Sequence, residues 1–115
     1  MSGDGAFVTL SVNTATSSDQ LVISVDGEID AATVGALQAA LAAVHPSDCT
    51  SVVVDLAGVS FMDCRGLNAL LTGRRELARR RIELHVRNAQ PQARRLFEAA
   101  HDASASNYYQ TSSVA

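Results

Sequence analysis

The chain has 115 residues, 47% of them apolar, 4% aromatic and 18% charged, a composition that supports one compact domain and excludes a disordered chain. Its charge is segregated: residues 1–64 carry eight acids and no Lys or Arg, whereas residues 65–115 carry nine Arg against four acids. Few aromatics interleave the arginines and the net charge is -3, which argues against nucleic acid as a partner, and no run of about 18 apolar residues offers a membrane span.

In chain order, Met1-Ser2-Gly3-Asp4-Gly5 lacks the basic and apolar blocks of a secretion signal, so a cytoplasmic location is expected. Phe7 to Val12 alternates, with Val8, Leu10 and Val12 on one side, and predicts a strand. Asn13 to Gln20 reads as a turn rich in Thr, Ser and Asp. Leu21, Ile23 and Val25 alternate again as a second strand, antiparallel to the first, which runs out into Asp26-Gly27-Glu28-Ile29-Asp30. Asp30 is read as the N-cap of a helix carrying Val34, Leu37, Leu41 and Val44 on one stripe, and His45-Pro46 ends that helix.

Ser51 to Leu56 is nearly continuous in apolar residues, the pattern of a central strand covered on both faces. Cys49 and Cys64 flank this strand, which would hold them on the order of 20 Å apart, beyond the reach of about 7 Å for a disulfide. Two free thiols are therefore expected, too few for a metal site. Gly58 to Met62 reads as a loop, after which Asp63 caps a second helix with Leu67, Leu70, Leu71, Leu77 and Ala78 inward. Arg74, Arg75, Arg79 and Arg80 face outward on that helix, and Glu76 is spaced to pair with Arg80. Ile82, Leu84 and Val86 alternate with Glu83, His85 and Arg87, a strand with one wet face. Pro91 opens a third helix with Ala93, Leu96, Phe97 and Ala100 inward, and Asn107-Tyr108-Tyr109-Gln110 suggests a short terminal strand. The order β-β-α-β-α-β-α predicts an α/β domain over 1–115, with its core at about 7–110. Its sheet is mixed: the first strand is antiparallel and the later ones are parallel.

Reactive constellations are scarce. There is no glycine-rich phosphate loop, no metal-ligand spacing and no GxSxG, and His45, His85 and His101 lie in no nucleophile motif. The carboxyl ends of parallel strands converge on one rim, where ligands usually bind, and the acidic groups Asp26, Glu28, Asp30 and Asp63 fall there. A magnesium-dependent phosphotransfer site on Asp55 or Asp63 is the one enzymatic alternative. The absence of any lysine to stabilise a phosphoryl group favours a helix cap beside a solvated acidic loop, so no enzyme, cofactor or metal is expected.

The string Val52-Val53-Val54-Asp55-Leu56-Ala57-Gly58-Val59-Ser60-Phe61-Met62-Asp63-Cys64-Arg65-Gly66-Leu67 resembles the signature of STAS domains, the bacterial anti-sigma factor antagonists. Gly27-Glu28-Ile29-Asp30-Ala31-Ala32-Thr33 is similar to the family's turn into its first helix. Arg87-Asn88-Ala89-Gln90-Pro91, followed by Leu96-Phe97, is similar to its last strand and helix. The resemblance implies a STAS-like mixed sheet and a protein that binds an anti-sigma factor, often a serine kinase of the histidine-kinase-like type, and so frees a sigma factor for transcription. It also implies a switch, because a phosphate on a serine at the tip of a contact helix adds about -1.5 to -2 charge and repels the partner.

This chain departs at that place. The family's Asp-Ser-Ser-Gly reads Asp63-Cys64-Arg65-Gly66, and the position of the phosphoacceptor is Arg65. The resemblance thus points to partner-binding residues Glu28, Asp30, Asp63, Cys64, Arg65, Gly66 and Asn68, with no phosphoacceptor among them. Gly66, lacking a side chain, is expected to let a partner's backbone approach. Cys64, beside Arg65 at a helix N-terminus, reads as a small residue in the serine's place, with redox sensing as the alternative. A module that binds a nucleotide or other small ligand, or that joins a signalling assembly, is the other functional reading, and weak self-association stays open.

Overall fold

The computed structural model describes residues 10–99. Within them lie β1 (Ser11–Ser17), β2 (Gln20–Ile29), α1 (Val34–Ala42), β3 (Ser51–Met62), α2 (Cys64–Arg79), β4 (Glu83–Arg87) and α3 (Pro91–Ala99), the predicted order. The four strands stand side by side as β1-β2-β3-β4, with β1 antiparallel to β2 and β2, β3 and β4 mutually parallel. This is the mixed α/β sheet expected. Phe7 to Thr9, Ala100, His101 and Asn107 to Gln110 lie outside the described residues.

The strands are longer than the alternation suggests. β1 occupies Ser11–Ser17, so most of the predicted turn is strand, and only Ser18 and Asp19 form the hairpin loop. Ser18 takes a φ of 56°, the positive value that two-residue hairpin loops favour. Thr, Ser and Asn in β1 are tolerated because the strand is exposed at almost every position. The predicted loop Gly58 to Met62 is also strand. It continues β3 and pairs with β2 as far as Ile29 opposite Met62, across two register shifts that spoil the simple alternation.

One face of the sheet holds the core. Ile23 and Val25 of β2, Val52, Val54 and Leu56 of β3, and Leu84 and Val86 of β4 join Leu37 and Leu41 of α1, Leu67, Leu70 and Leu77 of α2, and Ala93 and Phe97 of α3 in one buried cluster. The opposite face carries the cross-strand row Ala15, Val22, Val53 and His85. Val53 is buried as well, so β3 is covered on both faces as its apolar run suggested, although Val53 stands outside that cluster and no helix of the described residues lies over it. Three smaller expectations also change. Ala78 is exposed, Leu71 is only half-buried, and Glu76 reaches Arg79 at 3.7 Å while Arg80 donates to the Val44 carbonyl at 3.4 Å. Arg80 forms the α2 C-cap, where a cation near unpaired carbonyls is favoured. Cys49 and Cys64 are both free, as expected.

Candidate functional site

Two adjacent strand ends build the rim. Ile29 and Met62 are register partners, and Asp30 and Asp63 are the next residue on each strand. The Asp63 N–H donates to the Ile29 carbonyl at 3.1 Å, which ties the two turns together.

Asp30 caps a turn and not the helix itself. Its Oδ1 accepts from the N–H of Ala32 at 2.9 Å and of Thr33 at 3.2 Å, and α1 begins only at Val34, with Thr33 as its N-cap. Thr33 makes no side-chain cap bond. Its buried hydroxyl donates to the Glu28 carbonyl at 2.6 Å and accepts from the Asp30 N–H at 3.0 Å, so it stitches the turn closed. The expected cap at Asp30 thus moves three residues on, because the carboxylate is spent on the preceding turn. Gly27 supplies the bend before it: its φ of 118° suits only glycine, and the register shift there sets Glu28 opposite Phe61.

On the second turn Asp63 is the N-cap predicted from sequence. Its Oδ1 accepts from the Arg65 N–H at 2.9 Å, and its Oδ2 lies 3.3 Å from Arg65 Nη1. The Arg65 side chain is 63% exposed and that of Asp63 25%, so this ion pair is worth at most about 1 kcal/mol and leaves the guanidinium facing solvent. Cys64 and Asn68 are exposed, and Glu28 and Asp30 are half-buried. Gly66 differs from expectation. It is buried, and a Cβ there would collide with Met62 Cγ and stand 2.8 Å from Ile29 Cγ2, so the missing side chain lets α2 settle onto the strand ends and leaves no room for a partner.

Three features went unread in the sequence. Phe61 is 41% exposed and is the one exposed large apolar side chain among the described residues, placed on the rim two residues before Asp63. The apolar run around it hid it, since register alone decides which face such a residue takes. Gln92 of α3 bonds the backbone of Met62, a contact between residues 30 apart in sequence. A groove of about 580 Å³ runs from the tip between α1 and α2, past Arg65, Asn68, Thr72, Gln38 and Val34.

Asp55 is not part of this rim. It accepts from Arg87 Nε at 3.3 Å, from Asn88 Nδ2 at 3.3 Å and from the Ala57 N–H at 2.9 Å. Asp63 lies eight residue steps further along the strand, on the order of 26 Å at about 3.3 Å per residue. Asp55 and Asp63, the alternatives considered for phosphotransfer, thus lie apart, and no cluster of three or more His, Cys, Asp or Glu able to hold a metal occurs around either among the described residues.

Comparison with known proteins agrees with this architecture. An anti-sigma factor antagonist from Mycobacterium paratuberculosis is 28% identical, with a TM-score of 0.68 over 79% of this chain and 77% of its own. The anti-sigma factor antagonist SpoIIAA in its unphosphorylated form is 20% identical, with a TM-score of 0.69 over 87% of this chain and 86% of its own. The phosphorylated form of SpoIIAA, a Bacillus cell fate determinant, is 22% identical at a TM-score of 0.67, over 87% of this chain and 89% of its own. The family model described as Mlab, STAS domain matches residues 12–101, from β1 through α3. Strand order, paired turns and a family match across every described element converge on one statement: the chain belongs to the STAS domain family.

Proposed function

We propose that this protein is an anti-sigma factor antagonist whose docking face is the rim built from Glu28, Asp30, Phe61, Asp63, Cys64, Arg65 and Asn68. It acts by binding and not by catalysis, as a cytoplasmic, single-domain regulator of transcription. The observation that carries the reading is the juxtaposition at the rim: the turns of Asp30 and Asp63 are bonded to each other, and an exposed aromatic and an exposed arginine flank them. Aromatic residues and arginine are the residue types enriched at protein interfaces. The similarity to anti-sigma factor antagonists supplies the partner class.

The SpoIIAA neighbour is known in phosphorylated and unphosphorylated forms, and in this chain Arg65 stands where the resemblance places the acceptor serine. The tip therefore carries a permanent cation and is not switched by phosphate. Capture experiments with the serine-kinase-type anti-sigma proteins of the source genome test both parts. Phe61→Ala and Arg65→Glu are each expected to weaken capture at least tenfold without lowering thermal stability. Intact mass after incubation with the captured kinase should show no phosphate on the Asp63–Gly66 turn. Full-strength capture by both variants, or a phosphate on that turn, overturns the proposal.

The groove between α1 and α2 favours a second reading, in which the domain binds a nucleotide or other small ligand, or serves as a subunit of a signalling assembly. A thermal-shift screen with nucleotides tests it, since a ligand bound only by the native state raises the unfolding midpoint.

A further inference from the structure

β3 outruns its outer neighbour. The β3–β4 ladder ends at Asp55 opposite Arg87, whereas the β2–β3 ladder continues to Ile29 opposite Met62. Backbone groups on the outer side of residues 57–62 are thus beyond β4, and a buried or half-buried N–H or C=O left unpaired costs about 1–3 kcal/mol. Two glutamine side chains take the place of the missing strand. Gln90 Nε2 donates to the Ala57 carbonyl at 2.7 Å. Gln92 accepts from the Met62 N–H on Oε1 at 2.9 Å and donates from Nε2 to the Met62 carbonyl at 2.8 Å. An amide placed with its oxygen on the N–H and its nitrogen on the carbonyl satisfies both groups of one residue at once.

We propose that Gln92 is the positioning residue of the recognition tip. Met62 is held on its outer side by this amide, and its successor Asp63 is held on the inner side by the Ile29 carbonyl. The clamp fixes the direction in which the chain leaves β3, and with it the angle at which Asp63 caps α2 and at which Phe61 and Arg65 leave the surface. Gln92 is half-buried on the second residue of α3, so α3 is connected to the tip by these two bonds. A glutamine kept only for solubility would point its amide to water. This one spends both polar atoms on a single residue's backbone at the edge of the docking face.

The proposal rests on the docking face described above, so its test has one arm that does not depend on any partner. Amide hydrogen exchange is measured residue by residue on the full chain for wild type, Gln92→Ala and Gln92→Glu. Gln92→Ala removes both bonds and should accelerate exchange at Met62 at least tenfold beyond whatever rise the loss of global stability gives Val54 in the core. Gln92→Glu keeps the acceptor but sets a carboxylate oxygen against the Met62 carbonyl, and should fall between the other two. In the second arm, capture of the anti-sigma protein used above should weaken at least fivefold in Gln92→Ala, measured well below the variant's lowered thermal midpoint, where it is fully folded. Unchanged exchange at Met62, or an equal rise at Val54, overturns the clamp. Should Gln92→Ala fail to fold, the rate at Met62 in Gln92→Glu against wild type decides. A local exchange effect with no capture by wild type upholds the clamp and removes the antagonist reading instead.

Discussion

The two thiols of this chain have opposite surroundings. Cys49 is 3% exposed, and burial pushes its thiol pKa up, with the nearby carboxylates of Asp48 and Asp19 adding to the rise. Cys64 stands exposed on the first turn of α2. Native-state iodoacetamide should therefore modify Cys64 alone, and Cys49 only after unfolding. A pH dependence follows with a definite sign. The folded protein holds the Cys49 proton more tightly than the unfolded chain, so its contribution to stability is complete below the ordinary thiol value of about 8.5 and is lost as pH rises through that value towards the raised one. Urea midpoints measured from pH 7 to pH 10 should decline more steeply for wild type than for Cys49→Ala. At this same scale the sequence identified Asp63 as a cap from its type and position alone. It could not tell that Asp30 would cap a turn, because that depends on where the Thr33 hydroxyl finds the Glu28 carbonyl.

Among the elements, α2 decides how the tip is presented. Its first turn is fastened by the Asp63 carboxylate, and it approaches the strand ends through Gly66. Further along, a Cβ on Gly73 would stand 2.8 Å from Leu41 Cδ1, so the same helix also approaches α1 closely. Removal of the cap in Asp63→Ala should cost about 1 kcal/mol, read as a lower urea midpoint. Gly66→Ala sets two effects against each other. Alanine gains about 1 kcal/mol in helix propensity, but its methyl group would overlap the fully buried Met62 and Ile29, and overpacking costs about 1–3 kcal/mol. Loss of stability is the expected outcome; a midpoint at or above wild type would show that α2 can shift outward without penalty. The element boundaries that the sequence hid share one cause. Gly27 and the two register shifts break the period of two in the β2–β3 ladder, so residues 58–62 looked like a loop when they are the far half of β3.

At the scale of the whole molecule, all three helices of the described residues join the sheet in one buried cluster, which implies a single cooperative core. Unfolding in urea, followed by far-UV circular dichroism and by the exposure of Cys49 to a thiol reagent, should trace one coincident transition; two separated midpoints would mean two units. Element order, the mixed direction of the strands and the family resemblance were all legible in the sequence, because hydrophobic period and connection length act locally and need no knowledge of distant contacts. The meeting of Asp30 and Asp63 at adjacent strand ends was legible too, since parallel strands carry their carboxyl ends to one side whatever their side chains, but Asp26, expected beside them, lies inside β2 opposite Gly58. Tertiary structure alone decided the rest. It buried Gly66 where an open glycine was expected, turned Phe61 outward, and joined Gln92 to Met62 across 30 residues of chain. Each of these depends on which atoms meet after the chain has closed on itself, and register, close approach and long-range hydrogen bonding come into being only with that closure.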